Sequence, residues 1–241
     1  MTGRPRSPRG AGGRLRAEII AATRELLEST GSVAAVSIRA VAGLVGVSAP
    51  SIYRHFADKD ALIEAAVAEV FEALDTAMQA AVDPTDPPAL RLHRLGLAYV
   101  RFALDHPEQY RLATIPTTHQ GAVDMVLTSG AFRYFAATVE EAMADGLIDR
   151  ADPTPLVLEL WAAAHGIASL LLAKPYLPWG DPMTIAERVL DAACFGHILG
   201  ELMGPDKTPA EMTRWVMDLR TRIRAPDSAA DRLSSPRRPP Q

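Results

Sequence analysis

Polar and charged side chains between Arg39 and Lys59 include the types that bind nucleic acid. Hydroxyl, imidazole and guanidinium groups reach phosphates and base edges, and a lysine ammonium neutralises a phosphate. Arg39 and Arg54 are the candidates for reading guanine, whereas Ala49 offers apolar contact to thymine methyl groups. The candidate contact residues are Arg39, Ser48, Ala49, Pro50, Ser51, Tyr53, Arg54, His55 and Lys59.

Helical periodicity predicts the elements that position these side chains. We expect Ser37 to cap a short helix and Gly46 to permit a tight turn after it. Ser48 is expected to cap a second short helix through His55, in which Pro50 is acceptable because first-turn amides lack helical partners. Two short helices joined in this way form a helix-turn-helix, whose second helix enters the DNA major groove.

An amphipathic helix before this unit is expected to pack over it. Leu15, Ile19, Ala22 and Leu26 recur at helical spacing, and Gly31 stops the helix. Apolar positions of the helix-turn-helix supply the remaining small core. They are Ile38, Val41, Ala42, Val47, Ile52 and Phe56.

Charge is distributed unevenly along the chain. Residues 1–60 contain nine Arg or Lys and five Asp or Glu, a net charge of +4, whereas the remainder carries −8. A basic end on an acidic body suits a protein that presents one end to a polyanion. The alternative is a solvated basic tail, because several arginines lie in or beside a Gly/Pro-rich stretch. These are Arg4, Arg6, Arg9, Arg14 and Arg16.

The segment SIRAVAGLVGVSAPSIYRHFADKDAL, residues 37–62, resembles the N-terminal pattern of the tetracycline-repressor (TetR) family. The resemblance covers about residues 13–62. It implies that Tyr53, His55 and Lys59 contact the DNA backbone and that Arg39 approaches DNA from the preceding helix. It also implies that residues 48–51 face the groove.

The same resemblance implies an all-α protein. An N-terminal three-helix helix-turn-helix domain would be followed by a larger helical domain for ligand binding and dimerisation. The implied function is that of a DNA-binding transcriptional regulator, a repressor. A small apolar or amphipathic ligand would release it from a palindromic operator on double-stranded DNA.

A second resemblance lies in the C-terminal half of the chain. Trp161-Ala-Ala-Ala-His165-Gly166, together with His-Pro-Glu-Gln-Tyr-Arg-Leu at 106–112, resembles the TetR subgroup named for a Trp-His-Gly pattern. A ligand pocket with apolar walls and few polar groups is expected here, and ordinary core packing is the alternative for each residue. The candidate pocket residues are Tyr99, Phe102, Tyr110, Phe132, Phe135, Trp161 and His165.

The resemblance to the TetR family also implies a homodimer. Periodicity places a linking helix from Asp60 to Val82, and the family implies that the helices at 154–174 and 183–203 form the interface. A two-fold dimer places two recognition helices in successive major grooves, about 35 Å apart. The predicted interface residues are Leu156, Leu160, Ile167, Leu171, Ala192, Phe195 and Leu199.

Composition shifts predict the domain organisation. We expect a disordered basic arm at 1–12, the helix-turn-helix domain at 13–62, the C-terminal domain at 63–225 and a disordered tail at 226–241. Helices are predicted at 88–105, 107–114, 121–146, 154–174, 183–203 and 208–223.

The sequence offers little support for other classes of protein. We find no phosphate-binding loop, nucleophile motif, paired carboxylates or close metal-ligand spacing, so we expect no catalytic site, metal or cofactor. The apolar stretch Leu160–Ala173 is short for a membrane span, and we expect a cytoplasmic protein without a membrane partner. Two alternatives stay open: a DNA-binding repressor without a ligand, and an all-α enzyme or small-molecule-binding protein.

Overall fold

The computed structural model describes residues 11–114, 130–204 and 207–224. These residues form ten α-helices and a short 3-10 turn, with no strand among them, which confirms the predicted all-α fold. Most of the predicted basic arm at 1–12, the predicted tail at 226–241 and part of the helix predicted at 121–146 lie outside the described residues. The helices are α1 (Ala11–Thr30), α2 (Ile38–Val45), α3 (Ala49–Tyr53), α4 (Lys59–Ala80), α5 (Pro88–Asp105), α6 (Pro107–Ala113), α7 (Gly130–Ala144), α8 (Pro153–Ala173), α9 (Pro182–Met203) and α10 (Pro209–Arg224).

Most helix boundaries follow local sequence signals. Helices α5, α6, α8, α9 and α10 all begin at a proline, which suits the first turn because its amides have no helical partner. Each of these five helices begins and ends within one residue of its predicted bounds. The 3-10 turn Val33–Ala35, which is capped by Ser32, was not predicted from the sequence.

The caps predicted around the helix-turn-helix are largely present. Ser37 Oγ accepts a hydrogen bond from the Ala40 amide at 3.1 Å, and Gly46 ends α2 in the left-handed region with φ of 72°. Asp58 precedes α4, and its carboxylate accepts from the Ala61 amide at 2.8 Å. These caps fix the ends of the helices on either side of α3.

The buried face of α1 is wider than the sequence pattern predicted. Ile20, Thr23 and Leu27 are buried together with Ile19, whereas Leu15 and Leu26 are only half-buried. The reason is that α1 packs against three helices, α2, α4 and α6, rather than along one seam. The buried Thr23 hydroxyl donates a hydrogen bond to the Ile19 carbonyl at 2.8 Å, so this buried donor has a partner.

Helices α4 and α5 form the centre of the larger part of the chain. Helix α4 packs against α1, α5, α6 and α7, and α5 packs against α6, α7 and α8. Arg91 on α5 is almost fully buried, and it forms an ion pair with Glu141 on α7 while donating to the Asp86 carbonyl. Gly130 begins α7 so close to Asp75 of α4 that a Cβ there would meet the carboxylate oxygen. Helix α4 therefore contacts both α1, which precedes the helix-turn-helix, and the helices of the C-terminal core.

Helix α8 is the one described helix that is long and apolar enough to cross a membrane, by length and composition alone. The sequence analysis judged the apolar stretch too short because it counted only the uncharged residues after Glu159. Helix α8 packs against α5 and α7, and 39% of its apolar window is buried within the chain. A core helix of a globular protein has the same properties, so this helix is weak support for a membrane span.

Packing divides the chain into two units, residues 1–194 and 195–241. Within the first unit, four residues predicted for the dimer interface are buried in the protomer's own core, so their assignment to an interface is wrong. They are Leu156, Leu160, Ile167 and Leu171. The residues predicted on α9, Ala192, Phe195 and Leu199, are exposed.

Candidate DNA interface and effector site

Helix α3 separates an apolar face from a polar one. Ile52 is fully buried, and Phe56 in the following turn is also buried, so these two side chains anchor the helix in the small core. Tyr53 is 55% exposed, and its phenol points away from that core. The helix ends at Tyr53, two residues before the predicted end, and His55 lies half-buried in the turn that follows.

Three side chains on the polar face are joined by hydrogen bonds. Ser48 and Ser51 approach with their hydroxyl oxygens 2.9 Å apart, and Arg54 Nη2 donates to Ser51 Oγ at 3.2 Å. Ser48 stands at the N-cap position as predicted, but its side chain accepts from no backbone amide, because it faces Ser51 instead. The outcome is a row of hydroxyl and guanidinium groups on the exposed side of α3.

The other predicted contact residues surround this row. Arg39 is exposed on α2, Pro50 is exposed in the first turn of α3, and Ala49 is half-buried beside it. Lys59 is half-buried at the first residue of α4, next to the cap residue Asp58. Eight of the nine candidate contacts lie on α2, on α3 or in the turns beside them, and Lys59 begins α4. Their individual contacts with DNA stay predictions.

A cation of α1 lies over one of the two apolar anchors of this unit. Arg16 lies in α1, with its guanidinium carbon 5.1 Å from the centre of the Phe56 ring, a cation–π distance. The sequence pattern had grouped Arg14 and Arg16 with the basic stretch. Both belong to helix α1, where Arg14 forms an ion pair with Glu18 at 2.9 Å.

A second polar cluster joins α5, α6 and α8 within the C-terminal core. The hydroxyl groups of Tyr99 and Tyr110 lie 3.1 and 2.8 Å from His165 Nδ1. Tyr110 also lies 3.0 Å from Ser169 Oγ, and the Trp161 ring lies against the His165 ring with centroids 5.5 Å apart. Four of the seven predicted pocket residues are therefore brought together. Ser169 was not predicted, although its place four residues after His165 on α8 is a usable signal.

Burial sets the protonation states in this cluster. It raises the pKa values of Tyr99 and Tyr110 and lowers the pKa of His165. At neutral pH both phenols therefore carry protons and the imidazole is neutral, with one ring nitrogen able to accept. Tyr110 has further partners in the His165 carbonyl at 3.3 Å and Ser169. The cluster can thus satisfy its own hydrogen bonds.

A groove of about 320 Å³ lies between α4 and α5, and no residue of this cluster lines it. Small side chains on α4 leave the space, and Phe102, a predicted pocket residue, forms part of its wall and packs on His106 with ring centroids 5.0 Å apart. The residues that line it are Ala77, Ala81, Arg94, Leu97, Ala98, Arg101, Phe102, Asp105 and His106.

The remaining two predicted pocket residues lie on α7. Phe135 is buried and Phe132 is half-buried, on a helix that packs against α4, α5 and α8. Neither residue lines the groove described above. Within the described residues, no group of three or more His, Cys, Asp or Glu side chains is arranged to hold a metal ion.

The geometry defines a class of protein: an all-α helix-turn-helix protein in which a long helix joins the reading head to a separate helical core. Two family models match this chain. The model for bacterial regulatory proteins of the tetR family matches residues 19–66, and the model for the tetracyclin repressor-like C-terminal domain matches residues 92–193. The chain belongs to the TetR family of bacterial regulatory proteins.

Solved structures share this fold. A protein of unknown function from Rhodococcus sp. RHA1 is 29% identical, with a TM-score of 0.63 over 76% of this chain and 95% of its own. A TetR-like transcriptional regulator from the same organism is 20% identical, with a TM-score of 0.57 over 79% and 98%. A TetR family transcription regulator from Marinobacter aquaeolei VT8 is 17% identical, with a TM-score of 0.60 over 77% and 98%. The comparison with curated proteins gives no match.

These matches identify the protein as a DNA-binding transcriptional regulator and not an enzyme. The C-terminal match is to a TetR-like domain in general, so membership of the Trp-His-Gly subgroup stays a prediction.

Proposed function

We propose that the protein is a cytoplasmic repressor that binds a palindromic operator as a homodimer and releases it when a small apolar or amphipathic ligand enters the C-terminal part. The observation that carries this proposal is the course of α4. Helix α4 begins six residues after α3 ends, and Ala77 and Ala81 at its other end line the groove against α5. A ligand in the groove would therefore press on the helix that holds the reading head.

Ligand size follows from the groove. A volume of about 320 Å³ is at the small end of the range for ligand pockets. Its apolar wall is formed by Leu97, Ala98 and Phe102, and Arg94, Arg101 and Asp105 provide charged groups at the edge. A small molecule with an apolar body and one polar end fits this lining.

Helix α6 supplies a second mechanical connection to the DNA-binding part. Its Tyr110 is joined to His165 on α8, and the helix packs against both α1 and α4. A ligand that favours a different arrangement of these helices shifts the population of DNA-competent dimers. Coupling of about 1–3 kcal/mol lowers operator affinity about 5–150-fold.

Dimerisation through α8 and α9 is part of the proposal. Helix α8 leaves Leu158, Ala162 and Leu170 exposed at spacings of four and eight residues, which puts them on one helical face. This face supports an interface better than the four buried residues predicted from the sequence. Two copies joined there would present two recognition helices to one operator.

Binding to the protein's own upstream intergenic DNA, across a salt series, tests the DNA-binding surface. The Tyr53→Ala, Lys59→Ala double variant should lose specific binding. The matched control is Lys174→Ala, Tyr176→Ala, an exposed Lys–Tyr pair just after α8 that should leave binding intact. Equal operator affinity in the first variant and the wild type would refute the assigned reading surface.

A ligand screen tests the release mechanism. A true effector should raise the melting temperature and release operator DNA at the same concentrations. Ala77→Leu, which narrows the groove, should abolish both effects while operator binding persists. The control is Ala80→Leu on the same helix, because Ala80 is exposed and does not line the groove.

A repressor without a ligand is the second candidate. The observation that favours it is that the Tyr99, Tyr110, His165 and Ser169 side chains satisfy one another, as a purely structural cluster would. Under this alternative, no compound releases the operator, and Ala77→Leu behaves like Ala80→Leu in every assay.

A further inference from the structure

The segment from Phe195 to Arg224 extends beyond the part of the chain that the family comparisons match. The C-terminal family model ends at residue 193. Packing likewise assigns residues from 195 onward to a unit of their own. The end of α9 and helix α10 thus lie outside the region that the C-terminal family model matches.

This segment exposes an unusual amount of apolar surface. Ile223 is 75% exposed and Leu202 is 71% exposed, and Met203 is the one large apolar side chain buried in the described part of the segment. Exposed apolar patches of this kind mark interaction surfaces. The exposed large apolar residues of the segment are Phe195, Leu199, Leu202, Met212, Val216, Met217 and Ile223.

Four apolar residues of α10 follow a heptad pattern, and the exposed Met217 lies outside it. Met212, Val216, Leu219 and Ile223 are separated by four, three and four residues, the spacing of d, a, d and a positions. β-Branched residues occupy both a positions, and leucine occupies one d position. That combination favours two parallel strands in a coiled coil. We propose that α10 pairs in parallel with α10 of a second copy of this chain.

The flanking residues fit a second copy of the same helix. In a parallel pair, Trp215 at a g position faces Arg220 at the e position of the other copy, a favourable cation–π pairing. Arg214, Asp218 and Thr221 lie at outer positions and stay in water. No like charges within the described helix meet across the seam in this register.

The length of α10 limits the stability of this pairing. Sixteen residues are about two heptads, too few for a stable isolated coiled coil. The pairing therefore rests on the proposed dimer, which brings the two α10 helices together at high effective concentration. It then adds a second contact between the protomers beyond α8 and α9.

Cysteine cross-linking in the full-length protein tests the register and direction. The native Cys194 is first replaced by serine, and Ile223→Cys is compared with Thr221→Cys, which lies on the outer face. Under mild oxidation we expect a disulfide-linked dimer from Ile223→Cys and little from Thr221→Cys. Linkage only between Met212→Cys and Ile223→Cys chains in a mixture would mean an antiparallel pair and overturn the proposal.

Sedimentation of the same full-length protein separates this proposal from the proposed dimer. Ile223→Asp should raise the dimer Kd about tenfold, whereas Thr221→Asp should leave it unchanged. A stable wild-type dimer with no Ile223→Cys linkage, or with equal Kd values in both variants, leaves the dimer standing and overturns the coiled coil. A monomeric wild-type protein overturns both.

Discussion

Neighbouring side chains on α3 have opposite environments, and this decides what each substitution should do. Ile52 is fully buried whereas Tyr53, the next residue, is more than half exposed. Removing the first leaves a cavity in a small core, and removing the second leaves only solvent. Substitutions at the exposed positions should therefore change DNA binding without changing the free energy of unfolding.

Lys59→Gln should lower the salt dependence of operator binding. One phosphate contact contributes about 0.9 to the slope of log Kd against log salt, so losing one contact in each protomer of the dimer should reduce the slope by about two. Fluorescence anisotropy over a salt series measures the slope. Lys174→Gln is the control, because Lys174 follows α8 and is fully outside the helix-turn-helix. An unchanged slope for Lys59→Gln would remove this residue from the phosphate contacts.

His165 should make the protein less stable below neutral pH. Burial lowers the pKa of His165, so the unfolded chain takes up a proton at higher pH than the folded chain does. Its contribution to stability is complete above about pH 6.5, the unfolded pKa, and is lost as pH falls toward the lower folded value. Urea unfolding from pH 7.5 to 5.0 should show a shallower pH dependence in His165→Gln. Parallel curves for the two proteins would contradict this explanation.

At the scale of elements, the turn between α2 and α3 sets where the reading helix begins. Gly46 takes φ of 72°, which orients the chain after α2, while Gly43 lies within α2. A Cβ at either position would meet no atom within 4 Å. The two glycines therefore differ in backbone conformation and not in available space.

Alanine at these two glycines should have opposite effects on stability. Gly46→Ala forces an L-residue into the left-handed region and should cost about 1 kcal/mol. Gly43→Ala should stabilise the protein by about 0.5–1 kcal/mol, because alanine loses less entropy in a helix. Urea unfolding of both variants measures the difference. The same sign in both would show that side-chain contacts, not the backbone, control this turn.

At the scale of the whole molecule, the proposed dimer depends on exposed apolar residues of α8. Leu170→Arg should give a monomer at micromolar concentration and weaken operator binding, because a single helix-turn-helix contacts only half of a palindrome. Leu170 is 48% exposed, so the protomer should keep its helix content by circular dichroism. Sedimentation with Leu147→Arg, a similarly exposed leucine after α7, provides the control. A dimeric Leu170→Arg protein would require another interface.

Local signals predicted the helices well and tertiary relations less well. Prolines and caps at Pro88, Pro107 and Pro153 gave helix starts within one residue, because these signals act through the first turn alone. The periodicity of α1 failed to predict burial of Ile20 and Leu27, because three neighbouring helices cover that helix. One-dimensional periodicity shows that a face is apolar, not which partner covers it.

The candidate sites show the same limit. Tyr99, Tyr110 and His165 were predicted as a group and do meet, since bulky aromatic and imidazole groups are visible in the sequence. The groove was missed, because Ala77 and Ala81 create it by being small. The leucines that were assigned to the dimer interface are buried in the core. The assignment failed because α8 carries apolar residues on both its buried and its exposed face.

The division of α3 into anchor and reading surface also bears on how such a regulator changes over evolutionary time. Ser48 and Arg54 are exposed and bond to the half-buried Ser51, while Ile52 and Phe56 hold the helix in place. Mutations at exposed positions usually change stability by about 0.5 kcal/mol or less. A duplicated gene could therefore change its operator by single substitutions at the exposed positions. Each intermediate protein would still fold.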